Sequence, residues 1–237
     1  ATIHNDKACT IRDATTGQLL ITLTSRIGFP QGVAWHPVGD LIAVASTGGR
    51  CTVWNPDTGQ DVATLTDTGT THVLDDTKSA VAWHPSGKLL ATTNGEGTCI
   101  IWQLDIAEKF TTLTGHTDAV TGVAWSPDGT RIATASDDGT CIIWQPDTGE
   151  RLLTLTGHTA AVTGVAWHPD GDLIATADAS GLIRISHLDG TLERAFISVR
   201  PCVPGVESYA SWTPEGLDVL KGEAWRVLRI PEPEDGS

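Results

Sequence analysis

The chain has 237 residues, a formal net charge of −14 and a pI near 4.7. That balance excludes a nucleic-acid surface, which needs clustered Lys and Arg. With no apolar run of 18 residues and no signal-peptide pattern, a soluble, untargeted, cytoplasmic chain is expected, with no membrane contact. Nine Trp within a 40% hydrophobic composition are enough for a packed core.

Taken in order, residues 1–24 read as the end of one strand followed by two more, because Ala1, Cys9 and Gly17 align with Ala133, Cys141 and Gly149. Whole units follow at 25–66, 67–114, 115–156 and 157–198. Their first Trp recurs as Trp35, Trp83, Trp125 and Trp167, the last three spaced by 42 residues. A second Trp follows 19 residues later in three units, as Trp54, Trp102 and Trp144. A fixed period of this length marks a stacked-repeat architecture. In the unit 115–156, AVTGVAW, TRIATAS, TCIIWQ and ERLLTLT read as four strands, separated by the turns SPDG (126–129), SDDG (136–139) and PDTG (146–149). No helical period competes. The second unit opens with a longer loop, 67–79, which should protrude. Residues 199–206 break the pattern with Pro201, Pro204 and Gly205. SYASWTPEG, LDVLKG and EAWRVLRI then read as three more strands within 206–230, and the acidic, Pro-containing tail 231–237 as disordered.

Gly115-His116, Trp125 with its SPDG turn, Ser136-Asp137-Asp138-Gly139 and the strand ending in Trp144 resemble a WD40 repeat, although Gln145 follows Trp144 where that family usually has Asp. The resemblance covers residues 1–230. It implies an all-β fold, a single β-propeller of four-stranded antiparallel blades. Length and repeat count suggest five blades, the fifth a composite of the N- and C-terminal strands. Both ends offer a third strand for that composite, so an open or six-bladed ring, or one completed by a second copy, is the alternative.

In the family, a loop His, a Ser or Thr on strand two, an Asp in the next turn and a Trp on strand three form a hydrogen-bonded chain. Carried over, these are His116, Ser136 (or Thr134), Asp138 and Trp144, and the role implied is structural. The fourth unit keeps His158 and Trp167 but puts Asp178, Ser180 and Ser186 in the slots of Ser136, Asp138 and Trp144. The full set is therefore expected in the third unit alone.

Cys9, Cys51, Cys99 and Cys141 share one slot on strand three. No CxxC or Cys/His spacing accompanies them, so they read as small buried hydrophobes of a reducing compartment rather than as zinc ligands or disulfides. His36, His84 and His168 also share a slot, one per turn, too far apart to hold one ion. No phosphate loop, GxSxG or HExxH occurs. A non-enzyme without cofactor or metal is expected.

The resemblance implies a scaffold whose rim binds a protein or peptide. In bacteria, similar repeats form the sensing or docking part of larger signalling proteins, and this chain is expected to be such a module or a piece of one. One alternative is an excised or engineered propeller with no partner; another is a lectin-like small-ligand binder. A homo-oligomer is expected where the ring does not close within one chain. By analogy with the family's top face, the binding rim collects Arg26, Phe29, Arg50, Asp75, Asp76, Lys78, Glu96, Asp118, Asp137 and Asp178.

Overall fold

The computed structural model describes residues 1–3, 8–24, 28–67, 79–199, 208–213 and 216–221, among which all regular structure is β-strand. The first sheet holds β1 (Thr2–Ile3), β2 (Ala8–Arg12) and β3 (Leu19–Thr24). Blade one is β4 (Pro30–Trp35), β5 (Ile42–Ser46), β6 (Arg50–Trp54) and β7 (Asp61–Thr66). Blade two is β8 (Val81–Trp83), β9 (Leu89–Thr93), β10 (Thr98–Gln103) and β11 (Glu108–Thr114). Blade three is β12 (Val120–Trp125), β13 (Ile132–Ser136), β14 (Cys141–Gln145) and β15 (Glu150–Leu155). Blade four comprises β16 (Val162–Trp167), β17 (Leu173–Asp178), β18 (Leu182–His187) and β19 (Leu192–Val199). Each is an antiparallel meander, and the five sheets are the five blades of a β-propeller.

Both faces of blades one to three are covered, so their strands are apolar on both sides. On β14, Cys141 and Ile143 face the next blade while Ile142 and Trp144 face the previous one. Each junction repeats this scheme. A forward set of small and branched residues, such as Ala91, Cys99, Ile101 and Leu113, packs on a back set rich in Trp and Ile, here Trp125, Ile132, Ile142 and Trp144. Burying one such side chain contributes about 2 kcal/mol, and the Cys slot is small because the facing Trp is large. The turns between strands one and two are closed by glycine at positive φ, as at Gly129 (φ 73°), where a Cβ would also strike the His84 ring.

The outer strands carry a β-bulge at one shared position. It leaves Leu20, Val62, Phe110, Leu152 and Glu193 without a cross-strand partner. A bulge twists an outer strand and discourages a further strand from pairing with it.

The composite closing blade is not what the structure forms. β20 (Ser208–Thr213) and β21 (Gly216–Lys221) extend blade four instead, giving a sheet in the order β16 to β21, and the first sheet keeps three strands. β19 is eight residues long and pairs with β20 from Ala195↔Trp212 to Val199↔Ser208, clear of its bulge at Glu193. Pairing with the strand next in sequence also closes a far shorter loop than joining the two termini. The expected third strand at 224–230, the tail 231–237 and nearly all of the loop 67–79 lie outside the described residues.

Candidate functional site

Blade three places His116 in the loop ahead of β12, over the end of β13. His116 Nδ1 lies 2.8 Å from Asp138 Oδ2, and its Nε2 lies 2.8 Å from Thr134 Oγ1. The buried indole of Trp144 donates to the same Thr134 oxygen at 2.8 Å. Thr134, rather than Ser136, therefore joins His to Trp. Trp144 pairs with Ile132, and its indole reaches the diagonal neighbour two residues along; Ser136 stands about 7 Å farther on. Ser136 instead donates to the Asp118 carbonyl at 3.1 Å and accepts the Asp138 N–H at 3.1 Å.

Asp138 is tied down from several sides. Burial pushes its carboxyl up, but donors from Thr140, the Thr117 N–H and His116 outweigh that and hold it below the ordinary carboxylate value. With Asp138 on one ring nitrogen and Thr134 on the other, His116 has no free nitrogen to offer a substrate.

Blade four keeps more of this chain than its sequence suggests. His158 Nδ1 lies 2.8 Å from Asp178 Oδ2 and its Nε2 lies 2.7 Å from Thr176 Oγ1. The carboxylate now comes from the end of β17 rather than from the turn, and it reaches the same imidazole nitrogen. Burial raises the Asp178 carboxyl, while the Ser180 hydroxyl, His158 and the N–H groups of Leu182 and Ser180 bring it below the ordinary value. Only the Trp is gone, replaced by buried Ser186. Blade two keeps the other half: Trp102 donates to Thr92 at 2.8 Å, and Asn94 Oδ1 accepts the Glu96 and Thr98 N–H groups where the Asp would act. In blade one, Val44 occupies the Thr slot and offers no hydroxyl to join such a chain. The signal for the shared hydroxyl was in the sequence: a Thr stands ten residues before the second-Trp slot in three blades, as Thr92, Thr134 and Thr176.

The rim is formed where the turn between strands two and three meets the loop into strand one. Asp137 N–H donates to the Ala119 carbonyl at 2.9 Å, and Thr47 N–H to the Phe29 carbonyl at 2.9 Å. Phe29 (47% exposed), Glu96 and Asp118 are exposed there, and Arg50 and Asp137 are half-buried. Asp178 is a correction to the expected rim, because its buried side chain points into blade four at His158. Arg26, Asp75, Asp76 and Lys78 lie outside the described residues.

Cys9, Cys51, Cys99 and Cys141 are free and buried, and burial pushes the thiols of Cys51 and Cys141 up to about 12. Among the described residues no group of three His, Cys, Asp or Glu side chains is placed to hold a metal, and no helix is long and apolar enough to cross a membrane. The crevice between the first sheet and blade one, lined by Cys9, Val44 and Trp54 among others, encloses no space large enough for a water molecule and is not a small-molecule site.

Residues 19–156, more than half of the chain, match the family described as IFT140 first beta-propeller, and residues 149–185 match the WD domain, G-beta repeat. No curated protein matches the chain. WD40 propellers generally mediate protein–protein interaction, typically binding proteins or peptides, and are typically non-enzymatic. With four Trp-phased repeats, five propeller sheets and these matches, the chain belongs to the IFT140 first beta-propeller family of WD40-repeat β-propellers.

Proposed function

We propose that this chain is a non-enzymatic docking module that takes a basic protein segment or peptide on its rim, as the sensing or scaffold part of a signalling protein. The observation that carries the reading is a division of labour among the charged groups. The imidazoles of His116 and His158 are engaged on both nitrogens within their own blades, so the groups that would perform general acid–base chemistry serve as internal struts. Acidic charge reaches the rim surface at Glu96 and Asp118, which are exposed, and Asp137 on the same rim is half-buried. Exposed Phe29 adds an apolar contact. An acidic rim on a chain of net charge −14 steers a cationic partner and speeds its association. Buried, unpaired thiols support a reducing compartment such as the cytoplasm.

The test is fluorescence anisotropy with a labelled Lys/Arg-rich decapeptide and its Asp/Glu-rich counterpart. Binding is expected for the basic peptide only, and it should weaken with salt. The double substitution Glu96→Lys and Asp118→Lys should lower affinity by at least about tenfold, roughly 1.4 kcal/mol, and flatten the salt dependence. Loss of binding on altering His36, His84 and His168 instead would place the site on the opposite rim.

A further inference from the structure

Two turns between strands one and two share a pattern but differ in content: HPVGD at 36–40 and HPSGK at 84–88. In both, the imidazole crosses the seam to the turn glycine of the next blade. His36 Nε2 lies 3.2 Å from the Gly87 carbonyl, and His84 Nε2 lies 3.1 Å from the Gly129 carbonyl. Each ring also stands edge-on to the inner-strand Trp of that blade, Trp83 or Trp125, with centroids 4.7 Å apart. These contacts latch blade one to blade two and blade two to blade three. The seam between blades three and four has no such latch, because Ser126 holds the His slot and bonds within its own turn to Asp128.

The second ring nitrogen distinguishes the two latches. His84 Nδ1 accepts the Ser86 N–H at 3.0 Å and lies 2.7 Å from the Ser86 hydroxyl. A backbone N–H can only donate, so Nδ1 presents a lone pair and the ring proton sits on Nε2, facing Gly129. Neutral imidazole completes this latch, and a second proton would set two N–H groups against each other. At His36 the requirement is reversed. Val38 stands where Ser86 supplies its hydroxyl, and among the described residues nothing donates to His36 Nδ1. Asp40 Oδ1 lies 2.5 Å from that nitrogen instead, and Asp40 holds the slot that Lys88 occupies in the second turn. Both nitrogens of His36 therefore face oxygens, and only the doubly protonated ring donates to both. A neutral ring leaves one lone pair against a carbonyl or a carboxylate.

We infer that the two latches respond to pH in opposite senses: acid releases the seam between blades two and three, and a rise in pH releases the seam between blades one and two. Histidine changes charge within the physiological range, so modest changes in pH move the looser seam from one side of blade two to the other. The remaining charged groups preserve the contrast. Lys88 shares its turn with His84 and opposes a further positive charge there, whereas Asp40 favours one at His36. Lys88 also belongs to the turn that His36 meets, but Asp40 is the group in direct contact. Across from His84, Asp128 and Arg131 flank Gly129 with opposite charges. Hydrogen bonds from Ser126 and Thr130 hold the Asp128 carboxyl down at about 2, so it stays ionised throughout.

Each seam carries its own reporter. The indole N–H of Trp83 donates to the Ala34 carbonyl at 3.1 Å, that of Trp125 to Ala82 at 3.3 Å and that of Trp167 to Ala124 at 3.1 Å. Hydrogen exchange of these indoles reads the opening of each seam separately. It is followed by NMR in the full-length chain between about pH 8 and about pH 5.5, as protection relative to free N-acetyltryptophanamide at the same pH. Trp83→Phe, Trp125→Phe and Trp167→Phe assign the signals. On acidification, protection at Trp125 should fall at least about tenfold against Trp167, while protection at Trp83 should rise. Asp40→Asn should abolish the rise at Trp83. Ser86→Val with Lys88→Asp gives the second turn the content of the first and should reverse the response at Trp125; both residues are exposed, so the fold is kept. Equal pH responses at the three indoles, or an unchanged acid response at Trp125 in the doubly substituted chain, overturns the inference.

Discussion

Blades three and four carry the same repeat at the same spacing, yet they differ in opposite ways at their polar chain and at their apolar faces. The polar chain survives loss of its sequence pattern. Blade four moves its carboxylate from the turn to the strand end, and its imidazole is held as tightly as that of blade three, at 2.8 Å on Asp and 2.7 Å on Thr. The apolar face does not survive loss of a neighbour. Ala133, Cys141 and Ile143 are buried by blade four, whereas the equivalent Ala175, Ile183 and Ile185 are half-buried or exposed. A hydrogen-bonded strut is completed within one blade, but burial is a property of two.

The comparison breaks first at the carboxylates. Each accepts four donors: Asp138 takes His116, the Thr117 N–H, and the N–H and hydroxyl of Thr140, while Asp178 takes His158, the N–H and hydroxyl of Ser180, and the Leu182 N–H. Asp138→Ala and Asp178→Ala should each cost about 3 kcal/mol by equilibrium urea unfolding, because each strands a buried imidazole and removes three further hydrogen bonds from the turn. A loss confined to Asp138 would mean that blade four's chain is geometry without energy.

The shared hydroxyl separates the two blades. Thr134→Val strands both the Trp144 indole and His116, and should cost about 2 kcal/mol; Thr176→Val strands His158 alone and should cost about 1 kcal/mol. Equal losses would show that the indole bond to Thr134 contributes nothing measurable.

How much of this was legible in the sequence follows the same division. The strands, their turns and the Cys slot follow from period and turn chemistry, which act within ten residues or so. The sequence leaves Thr134 and Ser136 as alternatives because the two lie on the same face of β13, and only the diagonal reach from Trp144 chooses between them. Asp178 was read by slot as a rim residue. Its real role depends on how far a side chain reaches across a turn, and alignment does not measure that. The destination of β20 departs from its sequence pattern for a different reason. The strand carries inner-strand chemistry, but its register is set by whichever edge is free, and the outer edge of β19 beyond Glu193 is free.

Acid offers a milder test. Asp138 and Asp178 both titrate below the ordinary carboxylate value in the folded chain, so their contribution is fully present above the unfolded value near 3.9 and is lost as pH falls through the folded values. Unfolding midpoints should therefore drop steeply below about pH 4. Asp138→Asn and Asp178→Asn should each flatten that acid limb by a similar amount. A limb that keeps its slope in both variants would assign acid sensitivity to other carboxylates.

The smallest effect concerns the hydroxyls that hold the carboxylates. Thr140 Oγ1 donates to Asp138 Oδ1 at 2.6 Å and lies 3.3 Å from His116 Nδ1, within a half-buried turn. Ser180 Oγ donates to Asp178 Oδ1 at 2.5 Å, but Ser180 is exposed. In Ser180→Ala the backbone N–H at 2.9 Å remains, and water can approach the vacated side, so the cost should be about 0.5 kcal/mol. Thr140→Ala opens a site that water reaches less readily and should cost about 1.5 kcal/mol. Both carboxylates keep three of their four donors in these variants, so the number of bonds lost is the same and only access to solvent differs. A larger loss at Ser180 than at Thr140 would mean that bond length, rather than solvent replacement, sets the energy of these struts.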